Sequence, residues 1–264
     1  MNSTISWIAL AAEGADLRAF GVDAAGRIRQ DWHAPLAEAP ARIAGWRGNP
    51  GLGGLPAAAA GLDHPAPRAL PCPPLPQAPD LPRPDAAGVT HLPGLMQTNP
   101  PLALPAAATA RIGGVLAADP GFDGVICLPG PRCIWAQISA GEVVSAVATA
   151  DATLATAFGL TAPAPDDPQF LTALSDTLSR PERMLRHLGA PEASAATQAG
   201  SLIGAALAAT RPWWLGQPVR VLGRGDWPGL YAAALAAQGV AAVAGDGDAA
   251  LVAGLARILP RAGA

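Results

Sequence analysis

Three glycine-rich turns directly follow apolar segments that are predicted to be buried strands, and they are the first candidates for chemistry. They are Leu128-Pro129-Gly130, Gly223-Arg224-Gly225-Asp226 and Gly245-Asp246-Gly247-Asp248. The last two enter predicted helices, where unpaired backbone amides can accept a phosphate or a nucleotide sugar. Glycine also closes ordinary strand-to-helix turns, so each turn keeps a purely structural interpretation. Neither GxGxxG nor a P-loop motif occurs, which argues against both of those nucleotide folds.

Two acidic residues in the last turn, Asp246 and Asp248, could hold Mg²⁺ or a ribose. A pair of acids before a helix is more often an N-cap with favourable dipole placement, and we favour that interpretation. The three cysteines and four histidines show no paired ligand spacing. The sequence therefore predicts neither a structural zinc site nor a disulfide framework, and it predicts no metal site.

Composition excludes several function classes. All 17 basic residues are arginine, so a Schiff-base lysine and a P-loop lysine are both ruled out. The formal charge of −3 comes without any basic run, and we therefore expect no nucleic-acid partner. With 264 residues, of which 50% are hydrophobic, the chain can bury one large or two small cores.

The amino-terminal residues lack a basic segment followed by an apolar run and a cleavage site. No stretch of 18 uninterrupted apolar residues follows, so we expect no membrane partner. A cytoplasmic, reducing setting is the expectation that fits this pattern.

The candidate turns are positioned by strands and helices that occur in a repeated order. A β-meander opens the chain, and a second strand, hairpin and strand series follows near its middle. The six predicted strands are Thr4–Leu10, Leu17–Val22, Arg27–Trp32, Gly124–Leu128, Ile134–Ser139 and Glu142–Thr149. Helices follow each series, one of them over Ala106–Ala118, and this order predicts a duplicated α/β architecture.

Residues 65–84 contain nine prolines, which is too many for a helix or a central strand. We expect an extended crossing there, although a disordered linker is the alternative. Beyond residue 150 helices alternate with short strands, which indicates parallel strands with helices on their faces. These patterns predict two domains, residues 1–118 and residues 119–264.

An ordered series of short motifs resembles the 2-dehydro-3-deoxygalactonokinase family of sugar-acid kinases. The motifs are Trp7-Ile8-Ala9-Leu10, Leu92-Pro93-Gly94-Leu95, Asn99-Pro100-Pro101, Cys127-Leu128-Pro129-Gly130 with Trp135, Ser201-Leu202-Ile203-Gly204, and Ala242-Val243-Ala244-Gly245-Asp246. The resemblance implies two ribonuclease H-like domains around an interdomain cleft, as in the actin-like and sugar kinase superfamily. It also implies ATP and Mg²⁺ as cofactors and a sugar acid as the small-molecule partner, and a homodimer is compatible with it.

Polar positions depart from the family pattern where apolar positions are kept. Family members resemble Asp-Trp-Gly-Thr-Thr-Asn after the first strand, whereas this chain has Ala11-Ala12-Glu13-Gly14-Ala15-Asp16. The family's Thr-His-Ser-Lys-Trp becomes Pro131-Arg132-Cys133-Ile134-Trp135, and its Thr-Gly-Glu-Leu becomes Asp151-Ala152-Thr153-Leu154. Of Met-Arg-Gly-Glu-Glu-Thr only Thr109 remains. Because phosphoryl transfer depends on positioned charge and metal, these changes predict weak or absent kinase activity.

Two hypotheses follow from the resemblance and its departures. In the first, the chain is a working kinase in which Asp16 or Asp151 replaces the lost acid. In the second, it is a non-catalytic relative that binds a sugar acid, a nucleotide or a protein. In the first hypothesis Arg132 or Arg18 contacts phosphate. The candidate contacts to phosphate or substrate are Arg18, Thr109, Gly130 and Arg132, and the glycine-rich turns supply the candidate contacts to nucleotide, Gly223, Gly225, Gly245 and Asp246.

Overall fold

The computed structural model describes residues 4–259. They form two compact units: one comprises the described residues through Gly121 together with those from Asp248 onward, and the other is Phe122–Gly247. Each unit is built around a five-stranded sheet, and the two sheets have equivalent strand orders. The duplication predicted from the repeated meander is therefore present in the structure.

The first unit begins with a meander and continues through a helix, short strands and a second helix. Its elements are β1 (Trp7–Glu13), β2 (Asp16–Val22), β3 (Ile28–Pro35), α1 (Ala39–Arg47), β4 (Ala57–Ala60), β5 (Arg68–Ala69), β6 (Val89–Leu92), β7 (Leu95–Gln97), β8 (Leu102–Leu104) and α2 (Ala106–Ala118). The main sheet has the order β3-β2-β1-β4-β6. The meander strands pair antiparallel, whereas β1, β4 and β6 pair parallel.

Side chains on opposite faces of this sheet enter two separate clusters because successive residues of a strand point to opposite sides. Ile8 and Leu10 pack on the face that α1 covers, together with Trp46. Phe20 and Val22 pack on the other face, which α2 covers. The four alanines of β4 are all 3% exposed or less, so this strand presents small side chains to both faces of the sheet.

Residues 65–84 contain no helix, and β5 is the strand found within them. This strand joins β7 and β8 in a three-stranded sheet. Further along, the side chain of Leu75 lies against α2 at Gly113, where an added Cβ would come within 2.4 Å of the leucine Cγ. Part of the proline-rich segment is therefore seated on α2 through a leucine that occupies the space left by a glycine.

The second unit repeats the meander and then becomes mainly helical. Its elements are β9 (Gly124–Leu128), β10 (Cys133–Ser139), β11 (Glu142–Thr149), α3 (Asp151–Ala157), α4 (Pro168–Ser179), α5 (Met184–Gly189), α6 (Ala195–Ala209), α7 (Arg211–Trp214), β12 (Val219–Gly223), α8 (Trp227–Ala236) and β13 (Ala242–Asp246). The sheet has the order β11-β10-β9-β12-β13, with β9, β12 and β13 parallel.

Helices α4 and α6 approach closely because α6 presents glycines at the contact. An added Cβ on Gly200 would lie 2.2 Å from the carbonyl oxygen of Phe170. Gly204 is equally restricted, with the Oγ1 of Thr177 at 2.2 Å from its added Cβ. At this distance between the two backbones, only the hydrogen of a glycine fits at positions 200 and 204. This explains why glycines occupy this face of α6.

The last helix, α9 (Gly247–Ala256), follows β13 and packs in the first unit, where Leu251, Val252 and Leu255 join the core around Phe20. The predicted division at 118/119 differs from the observed units in this segment. The sequence pattern shows that α9 is a helix, but it does not show which sheet the helix covers. No helix within residues 4–259 is long and apolar enough to cross a bilayer.

Candidate functional site

A network of charged side chains lies in the first unit beside the end of β1. Arg111 of α2 donates from both terminal nitrogens to the carboxylate of Glu13, with the Nη2 to Oε2 distance at 2.8 Å. Arg18 of β2 donates to Asp31 and, over 3.2 Å, to Oδ2 of Asp248. Arg111 also lies 4.0 Å from the other oxygen of Asp248. The network joins β1, β2, β3, α2 and α9 through five charged residues.

The two arginines of this network are the buried members. The side chains of Arg18 and Arg111 are 8% and 9% exposed, and the guanidinium of Arg18 lies 5.0 Å from the centre of the Phe20 ring. Burial alone would lower the pKa of Arg111, but the hydrogen bonds and charge of Glu13 raise it. Arg111 therefore stays a cation that is held by carboxylates.

Two other predicted residues of the first unit lie apart from these contacts. Asp16 begins β2, is exposed, and pairs with Nε2 of His33 at 3.2 Å. Thr109 is buried in α2 and donates its hydroxyl to the carbonyl of Pro105 at 3.2 Å. Among the residues of this unit that the sequence singled out, Arg18 and Asp248 take part in the charged network.

The carboxyl ends of parallel strands in the second unit bring most of its predicted residues together. Gly223 ends β12 and is paired with Asp246 at the end of β13. Gly245 of β13 is paired with Leu222 of β12. The added Cβ of Gly223 would lie 3.4 Å from the carbonyl oxygen of Pro129 in the turn after β9. Gly225 follows in an exposed turn with a φ of +66°, a backbone conformation that favours glycine.

The turn after β9 connects to the start of α3. It carries half-buried Gly130 and exposed Arg132. The hydroxyl of Thr153 donates to the carbonyl of Pro131, which ties this turn to α3. Asp151 is the first residue of the same helix. Gly130, Arg132 and Asp151 therefore belong to one connected corner of the second unit.

Asp151 has the most unusual environment among the predicted residues. It is 6% exposed, it accepts a hydrogen bond from the Thr149 hydroxyl on Oδ1, and its Oδ2 is buried without a hydrogen-bond partner. Burial raises the pKa of this carboxyl, although the hydrogen bond from Thr149 opposes the rise. Nearby, the thiols of Cys127 and Cys133 lie 3.7 Å apart, and burial raises the pKa of both.

A serine, a histidine and an aspartate also meet in the second unit. Nδ1 of His187 lies 2.5 Å from Oγ of Ser201, and Nε2 lies 3.5 Å from Oδ2 of Asp176. Ser201 is completely buried, and its hydroxyl donates to the carbonyl of Thr197 within α6. A substrate could not reach this hydroxyl, so the three residues fasten α4, α5 and α6 together and do not form a nucleophilic triad.

Sequence reasoning did not select Glu13, Asp31 or Arg111, and it considered Asp248 as a metal ligand or helix cap. A weak signal existed for Arg111, since it is a single arginine inside the apolar helical segment 106–118. Such a residue is buried when the helix packs, and a buried charge requires a partner. The identity of that partner could not be derived, because Glu13 is 98 residues away.

Comparison with known proteins now places the chain in a family. The model of the 2-keto-3-deoxy-galactonokinase family matches residues 24–258, and the chain belongs to this family. Among curated proteins no match was found. The predicted family relationship is thereby confirmed.

Solved structures agree on the fold. A protein from Sinorhizobium meliloti named as a 2-dehydro-3-deoxygalactonokinase superposes with a TM-score of 0.76 at 19% identity, covering 96% of this chain and 97% of that one. The activator of 2-hydroxyisocaproyl-CoA dehydratase from Clostridium difficile, with bound ADPNP, gives a TM-score of 0.52 at 12% identity, with 96% and 94% covered. The predicted α/β fold class is confirmed by these similarities.

The family implies Mg²⁺, and the residues of the first unit can be tested against that ion. Mg²⁺ requires near-octahedral oxygen ligands at about 2.0–2.1 Å, which carboxylates supply when they are accessible to the ion. Here the carboxylates of Glu13, Asp31 and Asp248 are bonded to arginine. Across residues 4–259 no three histidine, cysteine, aspartate or glutamate side chains are arranged to hold a metal. Paired with arginine as they are, Glu13, Asp31 and Asp248 do not fit the implied ion.

Proposed function

We propose that this chain binds anionic ligands of the class used by its family, a sugar acid and a nucleotide, and that it transfers phosphate weakly or not at all. The observation that carries the proposal is the pairing of Glu13, Asp31 and Asp248 with buried arginines. These are the carboxylates that surround the end of β1, where family members resemble Asp-Trp-Gly-Thr-Thr-Asn.

Phosphoryl transfer depends on positioning and on positive charge that neutralises the developing charge of the phosphoryl oxygens. Removing one such donor costs about 10²–10³ in rate in well-studied enzymes. This chain differs from the family at four polar motifs, and its first-unit carboxylates are engaged with arginine. Together these differences support a rate far below that of a working sugar-acid kinase.

Ligand binding is a separate property that the scaffold still supports. At Gly225, in the exposed turn after β12, an added Cβ would meet nothing within 4 Å, so a phosphate has room to approach the backbone amides there. Arg132 is exposed in the turn that also contains Gly130, so its guanidinium is accessible to an anion. We assign the nucleotide to the glycine turns and the anionic substrate to Arg132.

Binding and turnover can be measured separately. Isothermal titration with ATP, with and without Mg²⁺, tests nucleotide binding, and a coupled assay of ADP release with 2-dehydro-3-deoxygalactonate tests turnover. The proposal expects a binding isotherm with no ADP release above the rate without sugar acid. The matched control is Arg132→Gln, which should weaken sugar-acid binding and leave the fold intact. Substrate-dependent ADP release at ordinary kinase rates would refute the proposal.

A working kinase is the second candidate, and the environment of Asp151 favours it. A buried carboxylate with an unpartnered oxygen and a raised pKa is typical of a general base. Asp151 also begins the helix that Thr153 ties to the turn of Gly130. If this candidate is correct, Asp151→Asn abolishes substrate-dependent ADP release, whereas Asp16→Asn at the exposed position leaves it unchanged.

A further inference from the structure

The two buried arginines of the first unit each connect two carboxylates. Arg111 contacts Glu13 and Asp248, and Arg18 contacts Asp31 and the same Asp248. A positive group therefore lies between every pair of neighbouring acids in the network. Cations that bridge carboxylates in this way are commonly divalent metal ions, whose ligands are gathered from several elements.

The chemistry of the contacts suits guanidinium better than a metal. Glu13 accepts from both terminal nitrogens of Arg111, which is the bidentate geometry that a planar guanidinium matches. Both oxygens of this carboxylate are thereby engaged. Both oxygens of Asp248 also face arginine nitrogens, one at 3.2 Å and the other at 4.0 Å.

Burial separates these pairs from ordinary surface ion pairs. Exposed ion pairs contribute little and are often incidental. The side chains of Arg18 and Arg111 are less than a tenth exposed, whereas those of Asp248, Glu13 and Asp31 are 20%, 29% and 50% exposed, so the cations are the buried partners. A buried arginine is tolerated when its charge is compensated by carboxylates on other elements. The arrangement is therefore a built part of the unit.

We infer that the guanidinium groups of Arg111 and Arg18 occupy the cation position between Glu13, Asp31 and Asp248, so that the first unit carries its own positive charge and does not use a divalent metal. The inference deepens the proposed function and rests on it in one respect: a nucleotide bound by this chain would not need Mg²⁺ for its affinity. Where the family implies Mg²⁺ between carboxylates, this chain therefore has arginine in place of the metal.

The experiment uses Mn²⁺ alone as the probe and electron paramagnetic resonance of unbound Mn²⁺ as the readout, with full-length protein. Wild type should show no Mn²⁺ site whose affinity falls when Glu13 is replaced. Arg111→Met, which releases Glu13 and one oxygen of Asp248, should bind Mn²⁺ at least tenfold more tightly than wild type. The double variant Glu13→Gln/Arg111→Met is the matched control, because it removes the pair without releasing a carboxylate from Glu13, and it should lose that gain.

Folding of each variant is checked by circular dichroism, and added Mn²⁺ should raise the Tm of Arg111→Met but not that of wild type. If Arg111→Met does not fold, Arg18→Met releases Asp31 and the other oxygen of Asp248 and carries the same expectation. Mn²⁺ binding by wild type that Glu13→Gln abolishes would overturn the inference, as would a folded Arg111→Met without any gain. Neither readout involves nucleotide or turnover, so failure of the proposed function remains distinguishable.

Discussion

Breaking the pair of Glu13 and Arg111 from each side in turn measures how strongly the two groups depend on each other. Glu13→Gln removes a charge from a side chain that is 29% exposed and leaves Arg111 with Asp248 at 4.0 Å. Arg111→Met removes the cation, and the carboxylate of Glu13 then loses both of its hydrogen bonds from Arg111. The second change should be the more damaging one.

The expected magnitudes follow from this difference. Removing one partner of a buried ion pair costs about 3–5 kcal/mol, so we expect about 3 kcal/mol for Arg111→Met. Glu13→Gln should cost about 2 kcal/mol, because the remaining contact with Asp248 compensates part of the charge. The double variant removes both charges and should cost only about 2 kcal/mol, which leaves a coupling of about 3 kcal/mol between the two positions.

Urea denaturation followed by circular dichroism gives the free energy of unfolding of the four proteins in the cycle. For a chain of this size 1 kcal/mol corresponds to roughly 2–4 °C in Tm, so Arg111→Met should melt about 6–12 °C below wild type. A double variant whose cost equals the sum of the two single costs, within about 0.5 kcal/mol, would refute the reasoning.

Three further predictions test the fold and its titratable groups. A hydrogen bond from the backbone N–H of Arg27 and another from the side chain of Arg29 lower the pKa of Asp23 from 3.8 to about 2. This carboxylate therefore stabilises the fold above pH 3.8 and loses that contribution as the pH falls towards 2. Acid titrations of Asp23→Asn should accordingly show less loss of stability over that interval than those of wild type. Gly200→Ala should lower the free energy of unfolding by about 1–3 kcal/mol, because its Cβ would meet a carbonyl of α4, and Gly229→Ala in α8, with nothing within 4 Å, should not; urea melts would contradict this if the two variants behaved alike. Because Cys127 and Cys133 are completely buried and burial raises the pKa of both thiols, a thiol reagent should modify at most one of the three cysteines rapidly in the native protein and all three in urea, and rapid modification of three would show that this core is open.

Much of the fold could be predicted from local sequence patterns. The glycine and aspartate turns between alternating strands indicated both meanders, and the helix predicted over 106–118 is α2 with the same bounds. The destination of α9 could not be predicted in this way. Its residues Leu251, Val252 and Leu255 are apolar for either sheet, and the choice depends on packing with Phe20 and α2, which are far away in the sequence.

The candidate site likewise has a part that local sequence patterns predict and a part that they do not. Glycine turns at strand ends are local features, and the sequence placed Gly223, Gly245 and Asp246 at strand ends. The structure adds that these two strands are paired. The charged network is not local. Arg18 and Asp248 are 230 residues apart, and no spacing rule connects an arginine in a strand with an acid at the start of the last helix.

Single-turnover phosphoryl transfer is the measurement that tests the central claim most directly. Enzyme in excess over ATP is mixed with 2-dehydro-3-deoxygalactonate and Mg²⁺, and the phosphorylated sugar acid is quantified against the Asp151→Asn variant. Our account predicts no product above the level of that variant, although both proteins bind nucleotide. Rapid formation of phosphorylated sugar acid by wild type alone would contradict it.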